Sequence, residues 1–428
     1  MDRDTANDPE LVFALVRAIG TDSSAVVEKL QSLLADAQYH VAPIHLSKCF
    51  RDIGFLASTL REGTEDERYR TYMNAGDLLR NSTQRGDAAA VLGVKQISEK
   101  RASFLADRSR RGRAYIVKSL MHPGELQTLR RIYGPQLFAF SVFAPRDDRI
   151  RTLTRRIAES WGEPDEKWAP TAEKLVNRDA GLVREDDDPI AKTIHPKYAL
   201  DVQKTFQRAD LFISATAPDK SSEAVRRFVE LVFGYPFHTP TKEEYGMCVA
   251  HCASLRSASM GRGVGAAILS EAGDVVAVGT NEAPRFEGGQ YWAGDDPDGR
   301  TFKTGHDPSD RIRRQMFADL IRRLFVDRIW AEAGTTAEDR EALNRVLDKL
   351  NLEAVVAKVL ASDTIGKARV LDVIEYNREV HAEMAAITDA AKRGVSIRGC
   401  VLYCTTFPCH ECAKLIVSAG ITRVVYIE

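Results

Sequence analysis

No run of about 18 consecutive apolar residues occurs in this 428-residue chain, which excludes a membrane-spanning helix. A surplus of one charge is missing too. The 60 lysines and arginines stand against 61 aspartates and glutamates, so there is no global electrostatic footprint for DNA, RNA or an anionic membrane. Cysteine is scarce, and its odd total of seven is too small for a disulfide framework over this length. Where cysteines cluster, metal binding or catalysis is therefore the first explanation. Met1 to Glu10 is polar and acidic and lacks the basic start and apolar centre of a secretory signal, so a cytoplasmic location is expected. Internal repeats and low-complexity tracts are also absent.

What is there is length and alternation. The chain is long enough for two or three domains, each with a core. Leu11 to Arg17 reads as a strand, Gly20-Thr21-Asp22-Ser23-Ser24 as a small-residue turn, and the stretch to about Ala37 as a helix, the opening of a βαβ unit. Further apolar runs at Ala114 to Val117, Leu137 to Phe143 and Leu211 to Ala215 alternate with charged, helix-like stretches, which predicts a mostly parallel sheet covered on both faces. Arg184 to Pro189 reads as a solvated loop. Tyr235 to Pro240, with two prolines after an amphipathic helix at about Glu223 to Phe233, marks a domain boundary. Beyond it, a helix at about Lys242 to Ser259 leads into a hairpin of Ala266 to Leu269 and Val275 to Gly279. A long insertion follows over about Pro284 to Tyr376.

The chemistry concentrates near the C-terminal end. His381-Ala382-Glu383 begins an alanine-rich helix, a strand covers about Cys400 to Cys404, and Pro408-Cys409-His410-Glu411-Cys412 opens another helix. This is the His-x-Glu and Pro-Cys-x-x-Cys signature of zinc-dependent nucleoside and nucleobase deaminases. His-x-Glu alone is expected about half a time by chance in such a chain, but Pro-Cys-x-x-Cys only on the order of 0.004 times, so the second half decides. Cys409 and Cys412 share one helical face, and His381 adds a third ligand, leaving a fourth position open as in a catalytic Zn2+ site. Both ligand groups sit at helix N-termini, where partial positive charge favours thiolate. Two thiolates cancel the formal charge of zinc, so a neighbouring base is needed, and Glu383 is the candidate. Cys400 and Cys404 read as core packing. Cys248, His251 and Cys252 have helical spacing and read as packing, with a further metal site as the alternative.

On these residues the chain resembles the deoxycytidylate deaminases, and more closely the large two-domain bacterial anti-phage dCTP/dCMP deaminases. The likeness extends to Ala114 to Leu120 with His122-Pro123, Leu129 to Gly134, Phe228 to Tyr235, Thr239 to Gly246, Leu255-Arg256-Ser257 and Gly279 to Trp292. The resemblance implies an α/β protein in two parts. Residues 1–238 would form a P-loop nucleotide-kinase-like parallel-sheet domain. Residues 239–428 would form a cytidine deaminase-like α/β/α domain with an insertion at about 285–376, stopping at Val424 to Glu428 before the family's last elements. It implies hydrolytic deamination of dCTP, dCMP or both, depleting dCTP in anti-phage defence, with a deoxycytidine nucleotide as substrate, a regulatory nucleotide as a further partner, and a homo-oligomer. Asn281 would hydrogen-bond the sugar, with Glu282, Pro284 and Ala382 shaping the pocket. Two readings stand beside it: a deaminase of single-stranded DNA or RNA, which the balanced charge disfavours, and a nucleotide-sensing protein with an inactive deaminase domain.

The sequence departs from the family in two further places. The turn after Leu11 to Arg17 matches a Walker A loop loosely: Arg17 stands for the first glycine, and Asp22-Ser23 stand where Gly-Lys belongs. The turn therefore reads as a degenerate loop kept for architecture, without kinase activity, the alternative being a nucleotide contact through the backbone N–H groups of Gly20, Thr21, Asp22, Ser23 and Ser24. Gly263 follows Arg262 where a glutamine is expected. A basic run of Arg108, Arg110, Arg111, Arg113 and Lys118 reads either as a solvated loop or as a phosphate contact.

Overall fold

The computed structural model describes residues 9–107, 109–110, 112–181, 193–305, 308–326, 354, 356–358 and 377–427. The expected loop at Arg184 to Pro189 and most of the expected insertion lie outside them. The chain divides into two compact units, Met1–His238 and Thr239–Glu428. No helix among the described residues is long and apolar enough to cross a membrane.

In the first unit, strands β1 (Glu10–Arg17), β2 (Tyr39–His45), β3 (Gly112–Lys118), β4 (Leu137–Phe143) and β5 (Leu211–Ser214) form one sheet in the order β2-β3-β1-β4-β5. Every pairing in it is parallel. The central strand β1 shows why the run is continuously apolar. Val12, Ala14 and Val16 join the core on one face, and Phe13 and Leu15 join the core on the other. Helix Ser24–Asp36 buries Val26, Val27, Leu30 and Leu34 against the second face. Strand β2 has no clear period in the sequence and carries Pro43. It is an edge strand with that proline exposed, the position in a sheet where a missing N–H is tolerated.

In the second unit, β6 (Gly265–Leu269), β7 (Val275–Thr280), β8 (Val401–Cys404) and β9 (Arg423–Tyr426) form a sheet in the order β7-β6-β8-β9. The β6 pairings are antiparallel and β8–β9 is parallel. Helix Lys242–Ser254 opens with a Thr241/Glu244 capping box and covers the face that bears Ala267, Leu269 and Tyr403. Helices Ala382–Lys392 and His410–Ser418 cover the face of Ala266, Ile268, Leu402 and Cys404, giving three layers, α/β/α. Helix Lys242–Ser254 ends five residues before the expected Ser259. Ser257 Oγ donates to the Asn281 carbonyl (2.9 Å) and the Ala258 N–H to Glu282 Oε2 (2.9 Å), drawing those residues out of helical geometry.

Gly279 on β7 sets how closely helix Ala382–Lys392 approaches the sheet. A Cβ at this position would collide with the Ala382 carbonyl oxygen and the Ala386 nitrogen, both backbone atoms. Gly279→Ala is therefore expected to destabilise the second unit by about 1–3 kcal/mol, the usual cost of overpacking. The measurement is urea denaturation of the full chain, and an unchanged midpoint for that unit would refute the close-approach argument.

Candidate metal centre and active site

His381 is the N-cap of helix Ala382–Lys392 and Cys409 the N-cap of helix His410–Ser418. Both residues have extended backbone, so each side chain projects from a helix start rather than along its wall. His381 Nδ1 lies 3.3 Å from Cys409 Sγ and 3.5 Å from Cys412 Sγ, and the three donor atoms lie within 4.8 Å of one another. A tetrahedral zinc with ordinary Zn–N and Zn–S bonds requires N···S separations of about 3.6 Å. The donor set fits that ion in both spacing and chemistry. It is the only such group of three among the described residues; Cys248 and Cys252 are exposed on helix Lys242–Ser254 and do not form a second.

Glu383 is buried at 3% exposure, two residues after His381. Its carboxylate lies close to the thiols of Cys412 and Cys404. Burial first, and then the charge of Glu383, push both thiols above the usual cysteine range. Cys404 belongs to the core, as its strand position suggests, but it also meets the candidate base, a contact that sequence reasoning missed. The available signal was its place at the end of β8, on the same face as Leu402 by strand alternation and five residues before Cys409.

The Asn281 to Pro284 segment anchors this centre. Glu282 and Val380 exchange backbone hydrogen bonds (3.3 and 3.1 Å), tying the segment to the residue before His381. The buried Glu282 carboxylate accepts from the Ala258 and Ala283 N–H groups, both at 2.9 Å. Asn281 Oδ1 accepts from the Val264 N–H (2.6 Å), and its Nδ2 donates to the Arg262 carbonyl (2.8 Å). Its amide therefore orders the approach to β6. Pro284 is exposed and bridges Gln290, and Ala382 is fully buried under β7. Arg256 stacks its guanidinium 3.7 Å above the Trp292 ring, joining two of the segments that carried the resemblance. A Cβ at Gly263 would lie 3.1 Å from the Ser254 carbonyl oxygen, so a side chain there would force its neighbours to move.

With this geometry in place, relatives can be compared. Residues 240–428 match the cytidine and deoxycytidylate deaminase zinc-binding region. The deoxycytidylate deaminase of Enterobacteria phage T2 is 50% identical over 50 residues, 12% of this chain and 27% of that protein. The Homo sapiens deoxycytidylate deaminase is 43% identical over 54 residues, 13% of this chain and 29% of that protein. The aligned stretch thus spans under a third of these curated relatives. A gluconokinase structure from Sinorhizobium meliloti 1021 aligns with 54% of this chain and 99% of its own at 10% identity, with a TM-score of 0.24, too low to argue from. Zinc is the ion that both the matched region and the three donors indicate.

The Gly20 to Ser24 turn is partly buried and partly hydrogen-bonded within itself. The Ile19 N–H donates to Asp179 Oδ2 (2.8 Å), the Thr21 N–H to the Ala18 carbonyl (3.1 Å) and the Ser24 N–H to Asp22 Oδ1 (3.0 Å). Gly20, at φ +82°, packs against the Arg149 carbonyl so tightly that a Cβ would collide with it. Of the five N–H groups of the expected phosphate cradle, those of Thr21 and Ser24 are engaged within the turn; Gly20 and Thr21 are buried, Ser23 is half-buried, and Asp22 and Ser24 are exposed. The basic run is also dispersed. Arg110 donates to the Tyr39 carbonyl (2.7 Å), Arg113 is buried in β3, and Arg108 and Arg111 lie outside the described residues.

Two expectations follow. Cys409→Ser and Cys412→Ser each lose the single zinc per chain that elemental analysis should find in the parent protein. Because burial holds the Cys412 thiol protonated until metal binds, zinc uptake should release protons and weaken as pH falls. In the first unit, burial pushes the Asp179 carboxyl up to about 6 from 3.8. The folded state then keeps a proton that the unfolded chain gives up, so stability falls as pH rises from about 4 to 6. Asp179→Asn should flatten that slope and stabilise the unit above pH 6 in denaturant titrations; an unaltered slope would rule out Asp179 as its source.

Proposed function

We propose that the second unit is a zinc-dependent hydrolase that deaminates deoxycytidine nucleotides, dCMP, dCTP or both, to deoxyuridine nucleotides and ammonia. The observation that carries the reading is the buried Glu383 carboxylate beside a His381/Cys409/Cys412 donor set. Bound zinc supplies Lewis acidity toward water. The proton work falls to Glu383. It accepts a proton from the attacking water and passes it to the ring nitrogen N3 as oxygen bonds to C4; it then takes the second proton from the new C4 hydroxyl and delivers it to the departing amino group as the C4–N bond breaks. Cytosine and water thus become uracil and ammonia, with the carboxylate restored.

The surrounding residues have supporting roles. Ala382, Asn281, Glu282 and Pro284 shape the substrate pocket. The amide contacts of Asn281 hold the Arg262–Val264 segment in place while the free lone pair of Oδ1 meets the sugar. The similarity of the zinc region to deoxycytidylate deaminases supports a nucleotide substrate, and the chain's balanced charge favours a small anion over a polymer. In the cell, such an activity depletes deoxycytidine nucleotides, the anti-phage role that the resemblance implies.

Glu383→Gln should lower turnover by about 10²–10⁴-fold, the range for losing a general acid–base group, while the zinc content stays unchanged. Ammonia release from dCMP, dCTP, cytidine and single-stranded oligonucleotides, paired with metal analysis, tests this. Retained activity in the variant, or activity confined to oligonucleotides, would overturn the reading.

A further inference from the structure

Cys400 and Cys404 both belong to the core packed under helices Ala382–Lys392 and His410–Ser418. Burial is the one influence on the Cys400 thiol, whereas Cys404 is acted on by burial and then by the Glu383 carboxylate. Cys404 is the last residue of β8, paired with Ala266 on one side and Tyr426 on the other. A strand held along both edges has no room to shift, and the Cys404 side chain is fully buried, so its sulfur is fixed in place. The Thr406 backbone N–H lies against that sulfur. It engages a lone pair and leaves the S–H to point elsewhere.

Glu383 needs a fixed neighbour of this kind. A glutamate side chain turns about several bonds, and a base must present its oxygens in one orientation to move protons efficiently. No arginine, lysine or histidine forms an ion pair with Glu383 among the described residues, and the thiols of Cys404 and Cys412 lie beside it instead. These two sulfurs are not equivalent. Cys412 belongs to the metal donor set, and a cysteine bound to zinc is a thiolate with no proton to give. Cys404 stands outside that set. An ordinary thiol ionises only at about 8.5, and burial moves Cys404 higher still, so it keeps its S–H.

We infer that Cys404 is a positioning residue for Glu383, its thiol donating a hydrogen bond that holds the carboxylate in the orientation from which it moves protons. The inference rests on Glu383 being the base of the proposed reaction. A packing role and a donor role predict opposite responses to substitution. A buried cysteine that only packs behaves as a small hydrophobe, so valine would replace it and serine, a polar group in an apolar core, would not. A cysteine that donates is replaced by serine, whose hydroxyl also donates, and not by valine.

The test uses the full chain, with zinc content measured in every variant. Cys404→Val should keep its zinc and lower kcat about tenfold, the weight of one hydrogen bond to a charged group, with KM within about twofold of the parent. The substrate is whichever of dCMP, dCTP and cytidine the parent turns over fastest. Cys404→Ser should stay within about threefold of the parent kcat, and Cys400→Val should match the parent. Infrared difference spectra in the S–H stretching window give a readout that needs no turnover. The parent minus Cys404→Val spectrum isolates the Cys404 band, which should lie at lower frequency than the band isolated with Cys400→Val and should move up in Glu383→Gln. If the chain turns over none of the substrates, the proposed function fails while the infrared bands still decide the contact. A Cys404 band at the Cys400 frequency and unmoved by Glu383→Gln, or a valine variant more active than the serine variant, would overturn the inference.

Discussion

The second unit depends on one steric constraint, the meeting of two helix starts against a sheet. His381 belongs to one helix and Cys409 and Cys412 to the start of another, yet their donor atoms must come within bonding reach of a single ion. Three contacts enforce this. Gly279 lets the first helix seat on β7 at backbone distance. The Glu282–Val380 pair pins the residue that enters that helix. The β6–β8 pairing carries the strand leading to Pro408 into position. Because ligands and base sit at helix N-termini, the backbone supplies partial positive charge where thiolates must form.

The first unit answers a different electrostatic problem. Arg80 is almost fully buried, and it is satisfied by Asp77, Glu125 and the Tyr198 carbonyl. Arg178 adds to the same network through Asn74 and Asp77. Removing one partner from such a network strands a charge in a low-dielectric core, so its members stand together. At the carboxyl edge of the sheet, the charges of Arg149 and Arg17 act on the buried Asp179. Asp179 gives the Gly20 turn an internal anion through the Ile19 N–H.

Much of the layout was legible because it rests on short-range rules. Four of the five strands of the first sheet announce themselves as apolar runs, since strands buried on both faces cannot alternate. β2 did not, because an edge position tolerates Pro43 and polar residues. The metal ligands were legible from spacing, as three residues along one helix start lie on one face. Cys404 beside Glu383 was not, because a strand cysteine looks the same whether it meets an aliphatic neighbour or a carboxylate. Nor could local pattern show that the Ile19 N–H, at the start of the Gly20 turn, is taken by Asp179, 160 residues distant.

By itself, the sequence determined which residue types are available for chemistry and which local elements carry them: the His-x-Glu and Pro-Cys-x-x-Cys pairs on helix starts, and apolar runs committed to a parallel sheet. Local propensity and periodicity act over a few residues, and these features need no more. Only the tertiary structure decided that Asn281 spends its amide on the backbone, that Asp179 reaches the Ile19 N–H beside the Walker-like turn, and that Cys404 comes close to Glu383. Hydrogen-bond satisfaction and charge compensation are settled by partners far apart in the chain, and no local pattern records them.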